Sequence, residues 1–216
     1  MPETVITSLS FYEDEIVFVE PNIKIWLDRV AIVEAVYAAL RQWNINVDDI
    51  EVITTGKPSE QGVKFKIPEK RASFFFGASA CRFTRDSTNW QTAEETITIL
   101  DSALSAFQAH SNTKVKTFKT AVALHVQPKT KKFIDVVNPV IPPPMAALDK
   151  ETAQSMAIIV KWPSHRVTID GSAQIANGIF IRYERDFEGG TDYETIAKQL
   201  YVDEMQVFGM LDITEE

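Results

Sequence analysis

The residues best suited to chemistry occur in two matching stretches. Arg82-Phe83-Thr84-Arg85-Asp86 corresponds to Arg182-Tyr183-Glu184-Arg185-Asp186. Each places two guanidiniums and a carboxylate at the end of a run with strand character. A guanidinium is a rigid fork of donors that fits carboxylate or phosphate. The two sets could therefore build a pseudo-twofold anion site, the centre of an enzyme or of a binding pocket. The competing reading is that they close strand ends and pair with neighbouring charges, as surface ions commonly do. The strand pleat puts Cys81 with Phe83, and Ile181 with Tyr183, on apolar inward faces. Arg82 and Arg182 then project from the opposite faces, with Asp86 and Asp186 on that side four residues on. Four strand residues span about 13 Å, so neither arginine can reach its own aspartate.

Other chemistries have less to work with. His110, His125 and His165 fall near a helix end, in a strand and beside a turn, without ligand spacing, and the chain has one cysteine, Cys81. A structural zinc site takes four N or S ligands, so no metal or other cofactor is expected. Cys81 sits inside an apolar strand, the setting of an inert core thiol. No glycine-rich phosphate loop and no nucleophile elbow is present. Gly189-Gly190 precedes a helix and reads as a tight turn or as an anion-binding helix start. Glu13-Asp14-Glu15 reads as a solvated acidic face rather than a carboxylate pair for acid–base work. These readings leave no catalytic residue and make a non-enzyme the expectation.

Two further segments suggest partners. Between Asp101 and Asp135 lie Lys114, Lys116, Lys119, Lys129, Lys131 and Lys132 with no carboxylate among them. They could track phosphates of a nucleic acid, or guard a strand edge against aggregation. The formal net charge of −8 weighs against the first. Pro142-Pro143-Pro144, inside the connector 138–145, is stiff and flanked by apolar residues, so it could dock to a protein partner or simply join two segments.

Elements that must position these groups follow from periodicity. Ile16–Val19 reads as a strand ending at Pro21. Trp26, Val30, Val33, Tyr37 and Leu40 share one helical face, predicting a helix from about Asp28, as cap, to Trp43. Ile50–Thr54 suggests a strand, and Val63, Phe65 and Ile67 alternate inward against Lys64 and Lys66. Ser73–Arg85 reads as one long strand bent at Gly77. Thr92 and Glu95 form a capping box for a helix carrying Ala93, Ile97, Leu100, Leu104 and Phe107 on one face. Phe118 to Val126 is a half-buried strand. Strands follow at Met156–Trp162, Arg166–Asp170 and Gly178–Arg185, and Thr191 with Glu194 starts a third helix that ends near Phe208. The order strand, loop, capped helix thus recurs at about 73–126 and 155–216, which reads as an internal duplication.

The chain has 216 residues, 45% hydrophobic and 24% charged. Such a chain can bury roughly 70% of its unfolded surface without a disulfide or metal staple. The start Met1-Pro2-Glu3-Thr4 lacks a basic n-region and an apolar h-region, and no run of about 18 apolar residues occurs. The expectation is a cytoplasmic, single-domain α+β protein: an antiparallel sheet carrying three amphipathic helices.

From Phe74 to Val126 the order is a strand with Phe83, then Asn89-Trp90 before a helix, then a strand ending in Leu124. Ile179 to Thr214 gives a strand, a short loop, a helix with Val207-Phe208, and Ile213-Thr214. About half of the chain resembles, in this order, a sporadically distributed, uncharacterised bacterial family of somewhat larger α+β proteins. It departs at Ala121-Val122-Ala123-Leu124-His125, where that family usually carries an Arg-rich strand and an asparagine. The resemblance implies an α+β fold and an accessory role in bacteria or their phages, with no known activity. Together with the residues, it leads to a protein-interaction or assembly subunit, homo-oligomeric or part of a larger complex. Nucleic-acid binding through the lysines and an enzyme built on the repeated arginines and aspartates are the alternatives.

Overall fold

The computed structural model describes residues 2–86, 93–141 and 157–216. It is α+β, with antiparallel strand pairing and five α-helices among those residues. Three of the helices are long and two span a single turn, where three were expected. No helix is long and apolar enough to cross a membrane among the described residues. The chain falls into two compact units. The first comprises Met1–Ser10, Ala121–Arg185 and Glu194–Glu216, the second Phe11–Thr120 and Asp186–Tyr193.

The second unit is built from β1 (Glu3–Phe18), β2 (Ile50–Ile53), β3 (Gly62–Ile67), β4 (Ala72–Gly77), β5 (Ala80–Asp86) and β6 (Val115–Pro128), with α1 (Lys24–Leu27), α2 (Arg29–Leu40) and α3 (Ala93–Ser111). Strands β1, β6 and β9 contribute residues to both units. The strand order is β2-β3-β4-β5-β1-β6. Val63, Phe65 and Ile67 are fully buried, as their alternation requires. The stretch from Ser73 to Arg85 is a hairpin and not one bent strand: β4 pairs antiparallel with β5, Phe74 against Phe83 and Phe76 against Cys81. Folding it back puts Phe74, Phe76 and Phe83 on one face, where a single straight strand would have spread them along an edge.

These rings form the core of the unit. Phe107 of α3 stacks on Phe76 at 4.6 Å and on Phe18 at 5.5 Å, Phe74 meets Phe83 at 4.6 Å, and Phe65 meets Phe76 edge-on at 5.8 Å. Leu100, Leu104 and Phe107 are buried as expected, and α3 packs on α2. The buried face of α2 differs from the expected one. Ile32, Val36 and Leu40 point inward, whereas Val30 is exposed and Val33 and Tyr37 are half-buried. The reason is a break at Asp28, whose backbone (φ −129°, ψ 42°) interrupts the helix without a side-chain cap. A stripe counted through Trp26 therefore has the wrong phase.

The first unit is built on β6, β7 (Ile158–Lys161), β8 (His165–Gly171), β9 (Ile179–Glu188), α4 (Phe133–Val137), α5 (Tyr193–Met210) and β10 (Ile213–Glu215). The order is β6-β9-β8-β7, with β10 parallel to the start of β1. On α5, Ile196, Leu200, Val207 and Phe208 are buried at helical spacing, and Val167, Ile169, Ile181 and Tyr183 are buried on the strands. Glu3 fixes the start of β1, accepting from the Thr130 N–H and hydroxyl, both at 2.6 Å, and from the Lys131 N–H at 3.1 Å. The expected caps differ: Thr191 lies ahead of α5, its N–H on the Glu188 carbonyl, and Thr92 lies outside the described residues, as do Pro142, Pro143 and Pro144.

Replacing Phe107 with Ala removes the ring that joins α3 to Phe18 and Phe76. It is expected to cost about 3–5 kcal/mol in urea unfolding, whereas Val30→Ala on the exposed side of α2 should change the midpoint little.

Candidate functional site

The pleat sets apart the two arginines of each repeated stretch. Arg85 follows Cys81 and Phe83 on the inward face of β5, and Arg185 follows Ile181 and Tyr183 on the inward face of β9. A guanidinium brought in this way must find acceptors, since an unpaired buried charge is costly. Arg85 donates from Nη2 to Glu95 at 2.5 Å and from Nη1 to Thr96 at 2.7 Å, both on α3. Lys70 binds the other oxygen of Glu95 at 2.5 Å. Lys70 first, and Arg85 with it, hold the Glu95 carboxyl below its ordinary range. Arg185 makes a bidentate pair with Asp203 of α5, Nε to Oδ2 at 2.7 Å and Nη2 to Oδ1 at 2.6 Å. Asp203 is buried and also accepts from Gln199 at 3.1 Å.

Arg82 and Arg182 lie on the outward faces. Arg82 is next to Glu13 and Glu15, at 3.6 and 3.9 Å. Arg182 donates to Glu184 at 2.8 Å, and Arg166 clamps the other oxygen of the same carboxylate. Burial works to raise the Glu184 pKa, and the two arginines more than offset it. Asp86 and Asp186 are exposed. The arginines of the two sets thus lie in different units, each held by carboxylates of its own unit, while Asp86 and Asp186 both fall in the second unit. The lysines divide likewise. Lys114, Lys116 and Lys119 belong to the second unit, and Lys119 is 3.6 Å from Glu15. Lys129, Lys131 and Lys132 belong to the first, and Lys129 is 2.6 Å from Glu216.

Two polar clusters escaped the sequence reading. In the second unit Asp14, taken above for part of a solvated acidic run, is fully buried. Only its neighbours Glu13 and Glu15 point outward. Asp14 accepts from Tyr12 at 2.6 Å and, in a short contact, from the Thr120 hydroxyl. Burial pushes its pKa up to about 6, against the pull of those two hydroxyls. The same burial, with Asp14 next in effect, raises the Cys81 thiol well above its ordinary range, so that sulfur is a poor nucleophile. The Tyr193 hydroxyl is buried without a hydrogen-bond partner among the described residues, and its ring packs edge-on against Phe118 at 5.6 Å. The signal for Asp14 was parity: it shares its face with Ile16 and Phe18.

In the first unit Arg185 also reaches the β7–β8 turn. Its Nη1 donates to the Ser164 hydroxyl at 3.2 Å, and its Nη2 lies 3.2 Å from Nδ1 of His165. Trp162 stacks on the His165 ring at 4.3 Å, nearly parallel. A serine, a histidine and an aspartate are gathered here, yet Arg185 occupies both oxygens of Asp203 and approaches Nδ1 itself. The aspartate therefore does not orient the imidazole as a general base requires. The signal for Asp203 was its place in the stripe Ile196, Leu200, Asp203, Val207. Among the described residues no three His, Cys, Asp or Glu side chains come together as metal ligands.

No family model and no curated protein matches the chain. Among solved structures it is similar to a rolling circle replication initiator protein from Geobacillus stearothermophilus, with a TM-score of 0.38 and 11% identity over 90% of this chain and 80% of that one. It is also similar to the regulatory subunit of aspartate kinase from Thermus flavus, with a TM-score of 0.24 and 15% identity over 86% and 89%. Likenesses of this degree decide neither family nor function.

Asp14 has a raised folded-state pKa, so its ionisation opposes folding. Its contribution is most favourable below the unfolded value and is lost as pH rises through about 6. Asp14→Asn, whose amide can donate to the Tyr12 and Thr120 hydroxyls, should be more stable than wild type at pH 8 by roughly 2–3 kcal/mol. It should lose that advantage at pH 4, as read by urea unfolding at both pH values. Asp203→Ala would strand the Arg185 guanidinium, and is expected to lower stability by about 3–5 kcal/mol in the same assay.

Proposed function

We propose that this chain is a non-catalytic cytoplasmic interaction protein, an assembly subunit whose partner is a second copy of itself. The observation that carries this reading is the segment from Val19 to Val30. Val19 is 56% exposed, Ile23 55%, Trp26 37%, Leu27 78% and Val30 70%. Single exposed apolar residues are ordinary on a protein surface, but a concentration of large ones around one helix start marks a contact surface.

The charges in that segment select the occupant. They are Glu20, Lys24, Asp28 and Arg29, two of each sign, while the chain as a whole carries −8. Two copies meeting here bring opposite charges within reach of each other, whereas an approach through the rest of the acidic surface meets repulsion. A twofold contact uses the same patch on both sides and needs a self-complementary one; apolar residues with balanced charges meet that need.

The arginines are consistent with a non-catalytic role. Arg82, Arg85, Arg182 and Arg185 are all engaged by carboxylates of this chain. In this reading Arg85 and Arg185 are the matched positions of a duplicated strand-loop-helix unit that serves the fold. Their partners differ, Glu95 near the start of α3 and Asp203 in the second half of α5, so the copies have diverged in how they neutralise the charge.

Sedimentation velocity tests the proposal. Wild type is expected to associate reversibly in the micromolar range. The double variant Leu27→Asp with Val30→Asp should sediment as a monomer with an unchanged urea midpoint, because neither side chain is buried. A wild type that stays monomeric throughout that range would refute the reading.

A further inference from the structure

A separate observation concerns the first unit and does not depend on self-association. Its β7–β8 turn is held to Arg185 by the His165 ring and by the Ser164 hydroxyl. Nδ1 of His165 lies 3.2 Å from Nη2 of Arg185 and 3.4 Å from the Ser164 hydroxyl. A guanidinium has only protons to offer, so Nδ1 must be the acceptor and the imidazole proton must sit on Nε2. Arg185 cannot yield, because Asp203 grips it by two bonds from a buried position. Trp162 in turn lies flat on the imidazole, with ring planes 7° apart, and the Trp162 backbone N–H donates to the His165 carbonyl at 2.9 Å.

We propose that this turn is a proton-operated latch: one proton taken up at Nδ1 of His165 breaks its bond from Arg185 and releases the ring, with Trp162 still stacked on it, from the guanidinium. Protonation leaves the ring without a lone pair and sets two N–H groups against each other. The ring can relieve this by turning its new N–H toward the Ser164 hydroxyl, which carries Trp162 with it. The latch is closed at neutral pH. Burial lowers the His165 pKa from 6.5, Arg185 lowers it further, and Asp203 works the other way. The groups facing the ring are Arg185 from β9, Asp203 from α5, and Ser164 and Trp162 from the turn. Lys161 and Arg166 pair with each other in register on the opposite face. Opening would move the half-buried Trp162 together with the His165 ring in mildly acidic surroundings.

The test is a pH titration of the full chain by NMR, following the His Cε1–H signals and the indole N–H signals, with Trp162→Phe used to assign Trp162. The Trp162 signal is expected to move with the same one-proton midpoint as His165, below pH 6.5. His165→Asn, whose side-chain oxygen can accept from Arg185 at every pH, should remove the pH-dependent movement. A Trp162 signal indifferent to pH while His165 titrates would overturn the latch. So would an unchanged transition in His165→Asn. Neither outcome touches the oligomeric state, so this test and the sedimentation test can fail independently.

Discussion

The second unit depends on the requirement that Phe107 of α3 sit against Phe18 and Phe76 of the sheet. Buried rings contribute more than area, because their edges and faces must meet at particular offsets, and this contact fixes the strand faces. Once Phe74, Phe76 and Phe83 point at the helix, the pleat leaves no choice for their neighbours. Cys81 and Arg85 go inward with them, and Arg82 goes out to Glu13 and Glu15. Asp14, opposite Phe83 in register, is carried into the same interior. A core assembled from aromatic residues thus drags a guanidinium and a carboxylate in with it, and the polar network around them is the consequence.

How that consequence is handled differs between the two charges. Arg85 and Arg185 are each met with good geometry by a carboxylate from the following helix, and short charge-assisted bonds offset the desolvation cost. Among the described residues Asp14 has two hydroxyl donors and no cation, so the interior disfavours its charge and lifts its pKa to about 6. The same rule separates the ion pairs of the outward faces. Those around Arg82 and Lys119 are solvated and contribute little to stability, whereas the Arg185–Asp203 pair is a structural joint on which the β7–β8 turn also hangs.

Much of this was legible from the chain, residue by residue. The alternation of Val63, Phe65 and Ile67 gave its strand and its face directly, and the 3.6-residue spacing of Leu100, Leu104 and Phe107 gave the buried side of α3. The repeated arginines were visible too, but attention went to Arg82 and Arg182, the outward pair. The same pleat argument, carried three residues further, places Arg85 and Arg185 inside. The helix near residue 30 was found with its buried face misassigned, because periodicity assumes an unbroken helix and the backbone breaks at Asp28. The hairpin between β4 and β5 was missed because Gly77-Ala78-Ser79 lacks the Asn-Gly or Asp-Gly signal that marks the tightest turns.

By itself the sequence determined the α+β class, most of the element order and which positions are apolar, because these follow from local period and composition. Only the tertiary structure decided which carboxylate meets which arginine. Glu95 is ten residues from Arg85 and Asp203 eighteen from Arg185, and no spacing rule yields both. It decided as well that Asp14 is buried while Glu13 and Glu15 are not, and that Val19, Ile23, Trp26, Leu27 and Val30 stay exposed among the described residues while Ile25 between them is buried. Burial of a given side chain depends on which element folds over it. That is set by the packing of many distant residues at once and leaves no mark on the local pattern.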